Sequence, residues 1–241
     1  MLCYPEQSQV WLEKTLVWAE SFQHTGSLLH ALDMCLLVAY YLRAPDTVRD
    51  FAARLIAVAR DGSVPDYEAK GQFFQGWAVA QAGETTSGLN AMEQALQTLH
   101  AVGTSEDVPV FCDMLAEIYG ACGQFEQGLD QLDFAFRQAD TDHTYTWLAE
   151  LHRCQGELLC LQQPDDFSAA QGCFLHALTV ARSQQAKSLE LRAARSLARS
   201  LCAQGQQAQA AAILRPVYDW FSEGFDTLDL RQTAALLDVL D

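Results

Sequence analysis

Three arginines, Arg192, Arg195 and Arg199, fall at i, i+3 and i+7, and so project from one face of any helix that carries them. A row of guanidinium groups suits one kind of chemistry, the charge-assisted gripping of a carboxylate or phosphate. The same registers recur upstream at intervals near forty residues, as the pairs Asp33 and Leu37, Phe73 and Trp77, Asp113 and Glu117, and Arg153 and Glu157. Placed on successive parallel helices, these residues make a face that runs from apolar and aromatic through acidic to basic. As a binding surface it is a graded groove for a peptide or partner domain, with aromatic anchors at one end and arginines at the other. The competing reading is structural: a ladder of Glu–Arg pairs between neighbouring helices, for example Glu157 with Arg195, and ordinary packing for Phe73 and Trp77.

The other reactive residue types do not converge. The histidines stand at 24, 30, 100, 143, 152 and 176, and the eight cysteines at 3, 35, 112, 122, 154, 160, 173 and 202 contain no C-x-x-C pair. His152 with Cys154, Cys160 and Cys173 is the densest group, but it lacks compact zinc spacing and reads as core packing. Asp140, Asp142 and His143 read as solvated turn residues, and Asp165-Asp166 as a turn that feeds the positive end of a helix. There is no phosphate-binding G-x-x-x-x-G-K-[ST] loop and no assignable Ser/His/Asp or Cys/His arrangement. Neither an enzyme, a metal nor a cofactor is expected.

Acids outnumber bases 31 to 15, a net charge of −16, in a chain of 241 residues that is 50% hydrophobic. So acidic a surface repels nucleic-acid backbones and anionic membranes. Free cysteines inside apolar patterns favour a reducing compartment, and the first ten residues lack the basic-then-apolar plan of a signal peptide. The expectation is a cytoplasmic protein with a protein or peptide partner.

What must position these residues is a repeat. Gly76 is followed at offsets 7, 12, 16 and 19 by Gly83, Gly88, Met92 and Ala95; Ala116 by Gly123, Gly128, Leu132 and Ala135; and Ala198 by Gly205, Ala210, Leu214 and Val217. Gly156 leads a fourth copy with a two-residue insertion near Pro164-Asp165-Asp166, and Leu36 a copy without the glycines. Each copy predicts a helix hairpin. The glycine at offset 7 ends the first helix in a left-handed turn, the small residue at offset 12 admits a close second helix, and the rest continue an apolar stripe. The fold class is all-α, antiparallel hairpins stacked into a solenoid. Within one domain over 1–241, a half repeat covers 1–22, repeats cover 26–61, 65–102, 107–139, 143–185 and 187–222, and a capping helix covers 227–240. Asp226 or Thr227 is the expected N-cap of that last helix, Asp229 an acid in its first turn, and Phe225 is expected to tuck against it. Pro216 should kink or shorten the helix before it.

The spaced small residues, with Trp77 and Tyr119 beside or after the leads, resemble the tetratricopeptide repeat (TPR), although the forty-residue period exceeds the usual 34. The resemblance implies a right-handed α-solenoid in which the first helix of each hairpin lines the concave face. LCYPEQ, QGWAVAQAG, LAEIYGACGQFEQGLDQLD and the closing LRPVYDWFSEGFDTLDLRQTAALLDVL together look like the C-terminal repeat region of large bacterial signalling ATPases, including those fused to adenylate/guanylate cyclase domains. It implies a regulatory scaffold whose partner is a protein or an N-terminal ATPase/cyclase module. The alternative is a small-molecule sensor built around Phe73, Trp77, Arg153 and Arg195. LCYPEQ reads as the turn of a hairpin lacking its first helix, which makes the chain an expected fragment of a longer protein.

Overall fold

The computed structural model describes residues 4–103 and 107–240. Leu2 and Cys3 of LCYPEQ, and Asp241, lie outside the described residues. The described residues form twelve α-helices and no strands: α1 (Pro5–Ser21), α2 (Thr25–Tyr41), α3 (Pro45–Gly62), α4 (Pro65–Gln81), α5 (Thr85–Ala101), α6 (Val108–Ala121), α7 (Phe125–Asp142), α8 (Leu148–Gln162), α9 (Ser168–Ser183), α10 (Lys187–Ala203), α11 (Gln207–Tyr218) and α12 (Leu228–Leu240). No helix among them is long and apolar enough to cross a membrane.

The helices group into two compact units. One runs from Glu6 to Asp107 and holds α1 to α5; the other runs on from Val108 with α6 to α12 and takes in Tyr4 and Pro5. Consecutive helices pack together from α2 to α5 in the first unit and from α6 to α12 in the second. The even-numbered helices also stack on one another, α2 on α4 in the first unit and α6, α8, α10 and α12 in series in the second. Burial follows from that double duty. α6 buries eleven of its fourteen residues, whereas α7 buries four of its eighteen. An odd-numbered helix therefore needs only the narrow stripe that its sequence supplies, such as Gly128, Leu132, Ala135 and Ala139 in α7.

Close approach is set by the small residues at the repeat spacing. A Cβ on Gly88 of α5 would lie 2.5 Å from the carbonyl oxygen of Gly76 in α4 and 2.6 Å from the amide nitrogen of Ala80. On Gly156 of α8 it would meet the Phe174 ring of α9 at 2.4 Å. The turns behave as their residues require: Gly83, Gly123 and Gly205 have φ of +100°, +74° and +74°. Between α8 and α9 the connection spans five residues, 163–167, where the other hairpins use three, which is the two-residue insertion around Pro164. Pro216 sits inside α11, which at 12 residues is the shortest helix.

α12 packs on α10 and α11 through Leu230, Thr233 and Leu237, so it does cover the last hairpin. The aromatic sealed beneath it is Phe221 rather than Phe225, which is 47% exposed and rests edge-on against Tyr218.

If helix approach at Gly88 is limiting, Gly88→Ala should lower stability by about 1–3 kcal/mol through overpacking, read as a fall in the urea midpoint. Gly172→Ala on α9, where nothing lies within 4 Å of the added carbon, should be neutral or stabilising.

Candidate functional site

In the first unit the charged register is closed to solvent. Asp33 on α2 is buried, and its Oδ2 accepts a hydrogen bond from Lys70 Nζ on α4 at 2.9 Å; the same ammonium reaches Asp107 Oδ2 at 2.6 Å. Burial pushes the Asp33 carboxyl above its ordinary value, with Lys70 opposing. For Lys70 burial alone would favour the neutral amine, but the two carboxylates outweigh it and raise its pKa. Phe73 and Trp77 are core residues as well. Trp77 meets the Tyr40 ring edge-on at 5.1 Å, and Phe73 meets Phe74 at 6.3 Å. The aromatic anchors expected at the open end of a groove are thus enclosed packing, because stacked even-numbered helices use this register to bury each other. Leu37 is half-buried.

In the second unit Asp113 of α6 is buried and accepts from the Trp147 indole at 3.2 Å, while Glu117 is half-buried. Beyond it, side chains of α8, α10 and α12 form one continuous chain of opposite charges. Arg199 Nη1 lies 3.6 Å from Glu157 Oε1, which also accepts from the Ser196 hydroxyl at 2.6 Å. Arg153 lies 3.7 Å from the same Glu157 oxygen and donates to Glu150 at 2.8 Å. Glu150 is met by Arg192 at 3.3 Å, Arg192 donates through Nε to Asp229 at 2.7 Å, and Arg195 closes the chain on Asp229 at 3.1 Å. Burial would lower the Arg153 pKa, but Glu150 and Glu157 hold it well above the ordinary value. Burial, helped by Arg192 and Arg153, draws Arg195 below it against Asp229.

The interhelical ladder therefore exists, but its partners differ from those expected. Glu157 pairs with Arg153 and Arg199, and Arg195 with Asp229. Asp229 opens a helix, as foreseen, yet it reaches sideways to two arginines. Sequence reasoning passed over Lys70 and Glu150, and read Asp229 as a first-turn acid without its two arginines. Lys70 and Glu150 sit one helical turn before Phe73 and Arg153, on the same face, and that spacing was the available signal. Solvent access along the chain is uneven: Arg192 is 2% exposed, Arg195 16% and Arg199 63%.

Other polar clusters are smaller. The His152 and His176 rings stack at 4.2 Å with Phe136 at 4.7 Å from His152, and burial together with His176 lowers the His152 pKa to about 4. Burial likewise raises the thiols of Cys35 and Cys160 to about 11 and Cys112 to about 12, which disfavours the nucleophilic thiolate. Among the described residues no three His, Cys, Asp or Glu side chains converge as a metal would need.

Stacked helix hairpins on a forty-residue period make this an all-helical, repeat-like protein. No family model matches the chain. It is similar to an uncharacterized protein of Rhizobium meliloti (strain 1021), 29% identical over 189 residues; the match takes in 77% of this chain and 18% of that protein. Among solved structures it is similar to BtubC (BKLC) from P. vanneervenii, with a TM-score of 0.59, 15% identity and 90% of each chain covered. That likeness extends to the fold.

Removing Lys70 tests the buried register. Lys70→Met strands two carboxylates and should cost about 3–5 kcal/mol at neutral pH, measured by urea unfolding. The sign with pH follows from the carboxyl. A folded-state pKa raised above the unfolded one favours folding while the group is protonated, and that contribution is lost as pH rises through the folded value. Lys70 opposes that rise, so without it the Asp33 carboxyl is raised further and the variant gains more than wild type on protonation. The deficit of Lys70→Met should therefore shrink as pH falls towards 4, and a constant deficit would contradict it.

Proposed function

We propose that the chain is a TPR-type α-solenoid acting as a non-catalytic interaction or regulatory scaffold, and that it receives an acidic peptide or partner domain at the Arg199 end of the ion chain. One observation carries this reading. Arg199 is 63% exposed, and its ion pair with Glu157 is a long 3.6 Å contact at one end of the row of arginines and acids. An exposed guanidinium at the end of this row, in a chain of net charge −16, favours an anionic segment at that place. Arg192 and Arg195 are engaged with Asp229 and hold the row in place, so Arg199 is the group free to make a new bidentate contact.

Most of the length of the Rhizobium relative lies outside the match, so in that protein the matching segment is joined to a good deal of other sequence. A module elsewhere in the same polypeptide, of the ATPase or cyclase kind, is the partner that the reading favours. The small-molecule alternative is weakened by the enclosure of Phe73 and Trp77.

Binding of the chain to a peptide array discriminates. Wild type should retain Asp- and Glu-rich peptides despite its own negative charge, binding should weaken with salt, and Arg199→Glu should lose most of it while melting unchanged. Equal retention of acidic peptides by wild type and Arg199→Glu, or none by either, would sink the proposal.

A further inference from the structure

α1 departs from the rule that the other odd-numbered helices keep. Its packing face is regular: Leu12, Leu16 and Ala19 align, eighty residues on, with Met92, Leu96 and Leu99 of α5, and all six are buried. Its opposite face is not regular. Where α5 carries Asn90, Ala91, Gln97 and Thr98, α1 carries Val10, Trp11, Val17 and Trp18. These four and Phe22 each keep half or more of their surface in water. The excess apolar surface therefore lies on a different face from the one that Leu12, Leu16 and Ala19 bury.

The stripe is continuous. Val10, Trp11, Lys14, Val17 and Trp18 follow the i, i+3, i+4, i+7 rows, and the two indoles, seven residues apart, approach edge-on at 6.3 Å. Lys14 lies over the Trp11 ring at 4.9 Å, so the one charge on the stripe is folded down onto an aromatic face. A contiguous apolar patch of this kind is characteristic of an interaction site.

We propose that this face pairs with the same face of a second copy of the chain, α1 against α1 in antiparallel two-fold fashion. The area fits that occupant. With roughly 150–250 Å² for a fully buried aromatic, the three open rings leave about 400 Å² per helix, to which the two valines add. A standard interface needs roughly 800 Å² per partner, a little over half of it apolar, so the stripe supplies the apolar part of one dimer contact. The pattern is also self-complementary. A two-fold axis between Lys14 and Thr15 sets Trp11 opposite Trp18 of the second copy, twice, and brings each Lys14 between two indoles. The acids at Glu6, Glu13 and Glu20 stay outside the stripe as a polar rim; Glu20 is held by Arg54 at 2.6 Å.

Sedimentation equilibrium on the full chain tests this. Wild type should show a monomer–dimer equilibrium with Kd in the range of roughly 1–100 µM, tightening with added salt as repulsion between two chains of net charge −16 is screened. Trp11→Glu/Trp18→Glu should raise Kd at least tenfold with unchanged far-ultraviolet circular dichroism, and Val239→Glu, on the exposed flank of α12, should leave it alone. If the double variant unfolds, Val17→Glu carries the same test. A wild type that stays monomeric throughout, a folded double variant with the wild-type Kd, or a dimer that salt weakens would each overturn the proposal.

Discussion

Charge withdrawn from water must meet opposite charge, and that constraint organises the even-numbered helices. Stacking one helix on the next closes a row of side chains that the sequence fills with acids and bases. Each closure is tolerable only because a neighbouring helix supplies the counter-ion: Lys70 for Asp33, Arg192 for Glu150, Asp229 for Arg192 and Arg195. Such pairs add little to net stability, since desolvation consumes most of the attraction, but mispairing them is costly. Their effect is on register. A helix slid by one turn would set arginine beside arginine.

The apolar contacts work at shorter range. Gly76 with Gly88, and Gly156 against the Phe174 ring, bring the two helices of a hairpin so close that a single methyl group would collide. That closeness lets a narrow stripe bury an odd-numbered helix while its outer surface stays polar. Hairpin geometry thus comes from small residues, and hairpin-to-hairpin geometry from charges and from large side chains such as Trp77 and Tyr40.

Much of this was legible from spacing alone. The glycine turns at 83, 123 and 205, the insertion at Pro164, the short helix around Pro216 and the covering helix at the end are local matters that residue type decides. The site was less legible, because a register repeated every forty residues says which side chains share a face and not whether that face is open. Phe73 shares a register with Arg153 and Arg195, and Trp77 with Glu157 and Arg199, yet the two aromatics are sealed. Partner choice within the ladder was hidden for a related reason. Arginine is long enough to reach either neighbour, so Arg195 could turn to Glu157 or to Asp229, and only the placement of α12 decides between them.

The coupling between Glu150 and Arg192 tests the ordering role of buried charge most directly. A double-mutant cycle with Glu150→Gln and Arg192→Met, followed by urea unfolding, isolates it. The account predicts large single losses and a favourable pairwise coupling of about 1–3 kcal/mol, with the double variant less damaged than the sum. Additive losses, with coupling near zero, would show that the even-numbered helices are registered by something other than their paired charges.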